Sequence, residues 1–176
     1  MSFARVRALA VVGALVVCAL ILVTMAFVRD RQSGSPEAKG CSEDAVVADL
    51  RLPLPEEVKL RVYNATDKAD LAKSVGEAFE NRKFQVLERA PDPLAKRVNT
   101  VAVLRYGPKG VGSAWLIRAY FLNEAKYEFD INRKDEIVDV VIGTQYKQLA
   151  TTTEVNQALG QVGSPVLPEG TCAGDE

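Results

Sequence analysis

Val58-Lys59-Leu60-Arg61-Val62-Tyr63-Asn64-Ala65-Thr66 is the stretch on which the fold turns. Val58, Leu60 and Val62 alternate with Lys59, Arg61 and Tyr63, the period of a strand with one buried face. Asn64-Ala65-Thr66-Asp67 then reads as a turn, with Thr66 or Asp67 placed to cap the helix that follows. In that helix Leu71, Val75, Ala78 and Phe79 share one face, while Lys73, Glu77 and Glu80 point to water. A strand feeding directly into an amphipathic helix is the start of a crossover connection.

Further along, Phe84 to Ala90 reads as a second strand, closed by Pro91-Asp92-Pro93, and Val101 to Tyr106 as a third. Gly107-Pro108-Lys109-Gly110 turns the chain into a second helix from about Val111 to Leu122. Lys126 to Ile131 and Ile137 to Ile142 are two last strands, split by the charged Asn132-Arg133-Lys134-Asp135-Glu136 turn. A short third helix fits Thr152 to Val162, with Val155, Leu159 and Val162 on one side. The order β-α-β-β-α-β-β predicts an α/β fold, an α+β sandwich in which a mixed sheet carries helices packed on it.

Ahead of this domain, Ala8 to Val28 is uncharged and almost wholly apolar. As a helix it spans roughly 31 Å, one hydrocarbon thickness. Arg5 and Arg7 precede it and Arg29, Asp30 and Arg31 close it, so flanking charge leaves orientation undecided. A cleaved signal peptide would need a shorter apolar stretch and a better cleavage site than Thr24-Met25-Ala26. Residues 1–29 therefore read as a cytoplasmic N-terminus and transmembrane anchor, and 30–55 as a polar linker and extended arm. Residues 56–176 make up the domain with its C-terminal tail. Cys41 and Cys172 bracket that domain, and Cys18 lies within the apolar run. A Cys41–Cys172 disulfide would place the domain outside the cell membrane as a single-pass, extracytoplasmic module. Two unrelated free thiols are the alternative.

The whole chain has 176 residues, 48% hydrophobic and 26% charged, with a net charge of −1. Near-zero charge argues against a nucleic-acid binder, which would need a basic face. Histidine is absent, which removes Ser-His-Asp and Cys-His nucleophile systems and the commonest zinc sites. Gly107-Pro108-Lys109-Gly110-Val111-Gly112-Ser113 stands where phosphate loops stand. However, Ser113 occupies the position of the Walker lysine, and Trp115 that of the third dinucleotide glycine. The stretch is a turn that needs flexible residues, although a helix start can attract an anion. No catalytic, cofactor-binding or metal-ligating residue is indicated. The second helix, Trp115 to Leu122, is apolar nearly all round, as a helix buried between layers is; a docking face is the alternative. Asn64-Ala65-Thr66 matches the N-glycosylation triplet, but its place before a helix makes helix capping the better reading. Asn64, Arg105 and Trp115 are the candidate ligand or partner surface.

These residues resemble the LytR C-terminal domain family. The strand-turn Val58 to Thr66, followed by a helix and Phe84, is similar to that family's opening strand, Asn-Gly-Thr turn and helix. Val103-Leu104-Arg105-Tyr106-Gly107-Pro108-Lys109-Gly110 resembles its Tyr-x-Pro-Gly strand-turn. Val138 to Tyr146 resembles its closing strand and Gly-x-x-Tyr end. Ala65 stands where Gly is usual, and Gln145 where Asp is frequent. In larger members this domain follows a LytR-CpsA-Psr domain that attaches glycopolymers to peptidoglycan. Here only an anchor and linker precede Val58, a layout similar to actinobacterial envelope integrity proteins of the Cei type. The resemblance implies a non-catalytic, membrane-tethered module that supports the cell envelope by binding an envelope protein or a cell-wall glycopolymer. The alternative is an enzyme or accessory subunit in glycopolymer transfer, working through carboxylates and arginine. A cleft gathering two or more of Asp92, Arg97, Arg105 and Asp130 would discriminate in favour of the enzyme.

Overall fold

The structure, a computed structural model, describes Gly13, residues 15–21 and 23–24, and the continuous stretch 45–173. The chain divides into two units, Met1–Ala38 and Lys39–Glu176. In the first, the described residues are helical and exposed, and Thr24 Oγ1 donates to the carbonyls of Leu20 and Ile21 at 2.9 Å. Among the described residues no helix is long and apolar enough to cross a membrane. Of the 21 residues of the expected anchor from Ala8 to Val28, 11 lie outside the described residues, and Cys41 lies outside them too.

The second unit is built on a five-stranded sheet. Its strands are β2 (Lys59–Asn64), β3 (Gln85–Pro91), β4 (Ala102–Tyr106), β5 (Lys126–Phe129) and β6 (Val138–Ile142), in the order β3-β2-β6-β4-β5. A small parallel pair is separate from it: β1 (Val46–Ala48) and β7 (Thr171–Ala173). The helices are α1 (Leu71–Glu80), α2 (Val111–Ala119) and α3 (Thr152–Val162). Short 3-10 turns at Pro55–Glu57 and Pro108–Gly110 lead into β2 and α2.

The topology explains why the sheet has one covered and one open face. β2-α1-β3 and β4-α2-β5 are each a parallel crossover between neighbouring strands, and such crossovers are right-handed. The two units step outward in opposite directions from the centre, and β4 runs antiparallel to β6, which is parallel to β2. Reversing both strand direction and lateral step is a half-turn about the sheet normal. Both helices therefore fall on the same face. Leu60, Val62, Leu104, Val138, Val140 and Ile142 point into that side and are fully buried. Phe79 of α1 packs edge-on to Phe84 with ring centroids 5.2 Å apart, and Phe84 packs edge-on to Tyr120 at 5.1 Å. Val155 and Ala158 of α3 complete the same core.

Several local expectations change. Neither Thr66 nor Asp67 caps α1. The helix starts at Leu71 behind Asp70, whose φ is 56° and whose side chain makes no cap hydrogen bond. The Thr66 hydroxyl donates to Asn64 Oδ1 at 2.8 Å and accepts from Lys68 N at 3.2 Å, so its capacity is spent in the turn. α2 ends at Ala119 rather than Leu122, because Leu122 and Asn123 adopt φ of 53° and 63°, outside the helical region. β5 stops at Phe129, since Asp130 Oδ1 accepts from Asn132 N in a local turn that replaces the ladder. α3 has the expected limits and carries a capping box between Thr151 and Glu154. Six of the nine residues of α2 are buried, which decides the choice between core packing and docking face in favour of core.

The segment 45–54, which the sequence places in the extended arm, is a strap laid on the domain. Ala48 is buried, Asp49 N donates to the Pro108 carbonyl at 3.0 Å, and Gly112 N donates to the Asp49 carbonyl at 3.0 Å. A Cβ on Gly112 would fall on the Arg51 carbonyl oxygen, with the carbonyl carbon at 2.8 Å. The glycine-rich stretch is thus shaped to receive backbone.

Candidate functional site

Among the described residues no layer covers the face away from the helices, yet Val141 on it is fully buried, and Tyr63 and Ala65 nearly so. The reason lies in what alternation places beside them. Arg61, Asp139 and Arg105 occupy the outward positions of β2, β6 and β4 in adjacent register, and Glu88 and Glu128 continue the same row on β3 and β5. The row reads Glu88, Arg61, Asp139, Arg105, Glu128, alternating in sign across the whole sheet. Opposite charges on directly paired residues attract. Arg61 Nε donates to Asp139 Oδ1 at 2.8 Å, and Arg105 Nε to Glu128 Oε2 at 3.0 Å.

Two further groups lock the row. Arg133, from the turn after β5, grips Asp139 with both terminal nitrogens (2.8 and 3.3 Å) and gives a third hydrogen bond to the Arg105 carbonyl at 3.0 Å. Asp92, just beyond β3, takes both terminal nitrogens of Arg105 at 2.6 and 3.1 Å, and its carboxylate is only 1% exposed. Arg105 stands on β4 and the Asp92 backbone beside β2, where Asp92 N donates to the Asn64 carbonyl. Their ion pair therefore spans the apolar row of Tyr63, Val141 and Val103 and shields it from water. Hydrogen bonding to Asp92 raises the pKa of Arg105 against the opposing effect of its burial. At Arg133 burial opposes the charge, but hydrogen bonds to Asp139 and Asp135 outweigh it and the pKa rises. Burial, reinforced by the hydrogen bond to Glu88, raises the pKa of Tyr63.

Of the expected surface residues, only Arg105 belongs to this row. Asn64 organises the turn after β2: Nδ2 donates to the Lys68 carbonyl at 2.7 Å, and Oδ1 accepts from Thr66 N at 3.0 Å. Trp115 lies in the helix layer, half-buried, stacked on Tyr127 with centroids 6.2 Å apart and donating to the Gly163 carbonyl at 3.2 Å. The three do not form one surface. Asp92 and Arg105 do come together, but as a mutually satisfied pair. Arg97 binds Asp67, and Asp130 is engaged by Asn132. A cavity of about 50 Å³ beside Arg51, Lys109 and Ser113 includes none of these four, and holds no more than a water or two. Among the described residues no cluster of acids or cysteines is placed to hold a metal. Asp139, Arg61, Glu128 and the turn residue Arg133 are absent from the expected surface, though the three strand positions alternate outward in the sequence.

Cys172 is the residue paired with Val47 across β1 and β7, and it is not a free thiol. Its expected partner, Cys41, lies outside the described residues, while Cys18 is free and exposed.

A family profile described as LytR cell envelope-related transcriptional attenuator matches residues 57–146, the span from the 3-10 turn before β2 to just past β6. It takes in the entire five-stranded sheet. One similar solved structure is the soluble domain of a conserved hypothetical secreted protein, the Rv2700 ortholog of Mycobacterium marinum. It shares 26% identity at a TM-score of 0.54, over 69% of this chain and 82% of that one. No curated protein matches the chain. Family and neighbour together support an extracytoplasmic, envelope-related module of the Cei-like kind. With its sheet, both crossovers and the closing strand inside the matched region, the chain belongs to the LytR C-terminal family.

Proposed function

We propose that this protein is a non-catalytic module, tethered to the cell membrane by residues 8–28, that supports envelope integrity by engaging an envelope protein or cell-wall glycopolymer. The observation that carries this reading is the family match, which spans the complete five-stranded sheet. The open face supplies a fitting surface: a rigid row of charges with partly exposed carboxylates at Glu128 and Asp135. The arginines are committed to neighbouring acids, so the face is built to present charge in fixed positions, as recognition requires. None of them is poised as an acid or base. A Cys41–Cys172 bridge belongs to the same reading, since it would form in an oxidising compartment.

Four measurements test the proposal. A phosphatase fused after residue 176 reports on which side of the membrane the domain stands, and activity is expected outside. Cells lacking the protein should take up a normally excluded dye faster, and the full chain should restore the barrier. Photo-cross-linking from Glu128 distinguishes a captured envelope protein from a captured glycan. Transfer of a lipid-linked glycan by the purified protein would overturn the non-catalytic reading.

A further inference from the structure

The large hydrophobic residues left in water are unevenly spread over the domain. Between 45 and 173 nine are exposed; Val46, Val47, Leu52 and Leu54 of the strap and Ile131 after β5 are five of them. These five share one end of the sheet. Through Asp49 the strap lies on the Pro108 turn at the exit of β4, and Ile131 follows the exit of β5, which is parallel to β4. Ile131 Cδ1 is 3.1 Å from the Cβ position of Gly170, next to the Thr171 that pairs with Val46. Because β4 is antiparallel to β6 and β6 is parallel to β2, β2 begins at this same end. Leu94, beyond the exit of β3, stands at the opposite end.

The strap is a fixed part of that end. Ala48 is sunk in the core, and Asp49 makes two backbone hydrogen bonds in a seat that leaves room for Arg51 only because residue 112 is glycine. β1 pairs with β7 around Cys172, which is not a free thiol. Leu54 has φ −74° and ψ 152°. Pro53 and Pro55 keep the residues before them extended, which holds Leu52 and Leu54 out at 46% and 60% exposure.

The strap is also where the chain arrives from the apolar run. Residues 29–44 separate Val28 from Ala45, and a stretch of that length spans at most roughly 56 Å. A bilayer holding residues 8–28 can be no farther than that from the strap. We propose that this end of the domain rests on the lipid surface, with Val46, Val47, Leu52, Leu54 and Ile131 entering the boundary between headgroups and acyl chains. The inference rests on the tethered reading above. Tethering makes docking an intramolecular step, so an apolar patch too modest to hold a free domain on a membrane suffices here. Arg51 is paired with Asp49 and Lys59 with Glu136, and Glu56 and Glu57 lie between them in the chain. Basic and acidic charge offset one another, so the contact is apolar. The strands then stand on end against the membrane, and the open face with its row of charges looks sideways, free for a partner.

The test is fluorescence quenching in the full chain, reconstituted in vesicles of phosphatidylcholine and phosphatidylglycerol with or without bromine on the acyl chains. Trp115 is the chain's one tryptophan, and its signal in the parent is the baseline to subtract. Three variants each add a tryptophan at an exposed position: Leu54→Trp on the strap, Leu94→Trp at the far end, and Leu20→Trp in the apolar run. In brominated vesicles Leu54→Trp is expected to lose roughly half of its added fluorescence, as a side chain at the acyl boundary does, and Leu94→Trp to lose none. The loss at Leu54→Trp should persist in about 0.5 M salt, which screens charge, and should fall when Val47→Asp and Leu52→Asp are added. A loss abolished by salt, or unchanged by the two aspartates, overturns the apolar contact. Leu20→Trp reports the anchor separately. If it is quenched while Leu54→Trp is quenched no more than Leu94→Trp, the tether stands and this proposal is overturned; if it is not quenched, both are.

Discussion

Gly112→Ala should unseat the strap. The added methyl has no room: the Arg51 carbonyl oxygen occupies its position, and the obstacle is backbone, which cannot rotate aside as a side chain does. Relief requires moving the strap away from α2, and the two hydrogen bonds that hold it run through the adjacent Asp49. Each contributes on the order of 1 kcal/mol net. Withdrawing Ala48 from the core adds somewhat under about 1 kcal/mol. Against this, replacing glycine by alanine in a helix gains at most about 1 kcal/mol. The net loss is about 2 kcal/mol, which for a domain of this size lowers the melting temperature by roughly 6 to 10 °C. Gly160→Ala is the matched control. It sits inside α3 with nothing within 4 Å of its Cβ position, so only the helix gain applies and the melting temperature should rise by a few degrees. Thermal melts followed by circular dichroism read both signs. Hydrogen exchange at Asp49 and Gly112 shows whether the strap has left. A Gly112→Ala protein as stable as the parent, with those amides still protected, would refute the close approach on which the seat depends.

Removing the Asp92 carboxylate with Asp92→Ala leaves Arg105 largely buried with only Glu128, a loss of about 3 kcal/mol; Asp92→Leu/Arg105→Leu together should cost less than the sum of the single changes in denaturant melts. All five tyrosines have raised pKa values, mainly through burial, with Tyr106 and Tyr127 pushed up to about 12. A raised acid pKa means the folded state holds its proton longer, so stability is full below about pH 10 and falls as pH rises toward 12. Tyrosinate absorbance and circular dichroism should then change together, whereas tyrosines that titrate normally near pH 10 in a folded protein would contradict it. Glu136 has its pKa lowered, first by the hydrogen bond from Lys59. Its small contribution is present above about pH 4.5 and fades on acidification, which a Lys59→Met variant should abolish in acid melts. For the bridge, non-reducing peptide mapping should recover Cys41 linked to Cys172, and Cys172→Ser should lower the melting temperature. Closing a loop of about 130 residues is worth up to roughly 4–5 kcal/mol in the chain-entropy account, and free thiols at both positions would remove the bridge.

Local chemistry in the sequence determined the elements of the domain. Alternation over Val58 to Tyr63 and Ile137 to Ile142, a helical stripe at Leu71, Val75 and Phe79, and Gly-Pro punctuation at 107–110 are short-range signals. A backbone with two periods, 2 and 3.6, has little freedom to misread them. The sequence likewise decided the absence of histidine chemistry, and the β-α-β order that implies crossovers. Strand order and the consequences of strand order came only from the tertiary structure. Arg61, Asp139 and Arg105 each look like an ordinary outward residue of its own strand. They become a row because β6, last of these strands in the chain, inserts between β2 and β4. Asp92 gave no sign of burial, since its partner is supplied by a strand on the other side of β6. The strap was equally hidden, because Val46–Ala48 and Thr171–Ala173 are too short to show a period and pair across nearly the whole domain. Periodicity reports which way a side chain faces, whereas the identity of what it faces is set by contacts between distant segments, and those are fixed only when the chain closes on itself.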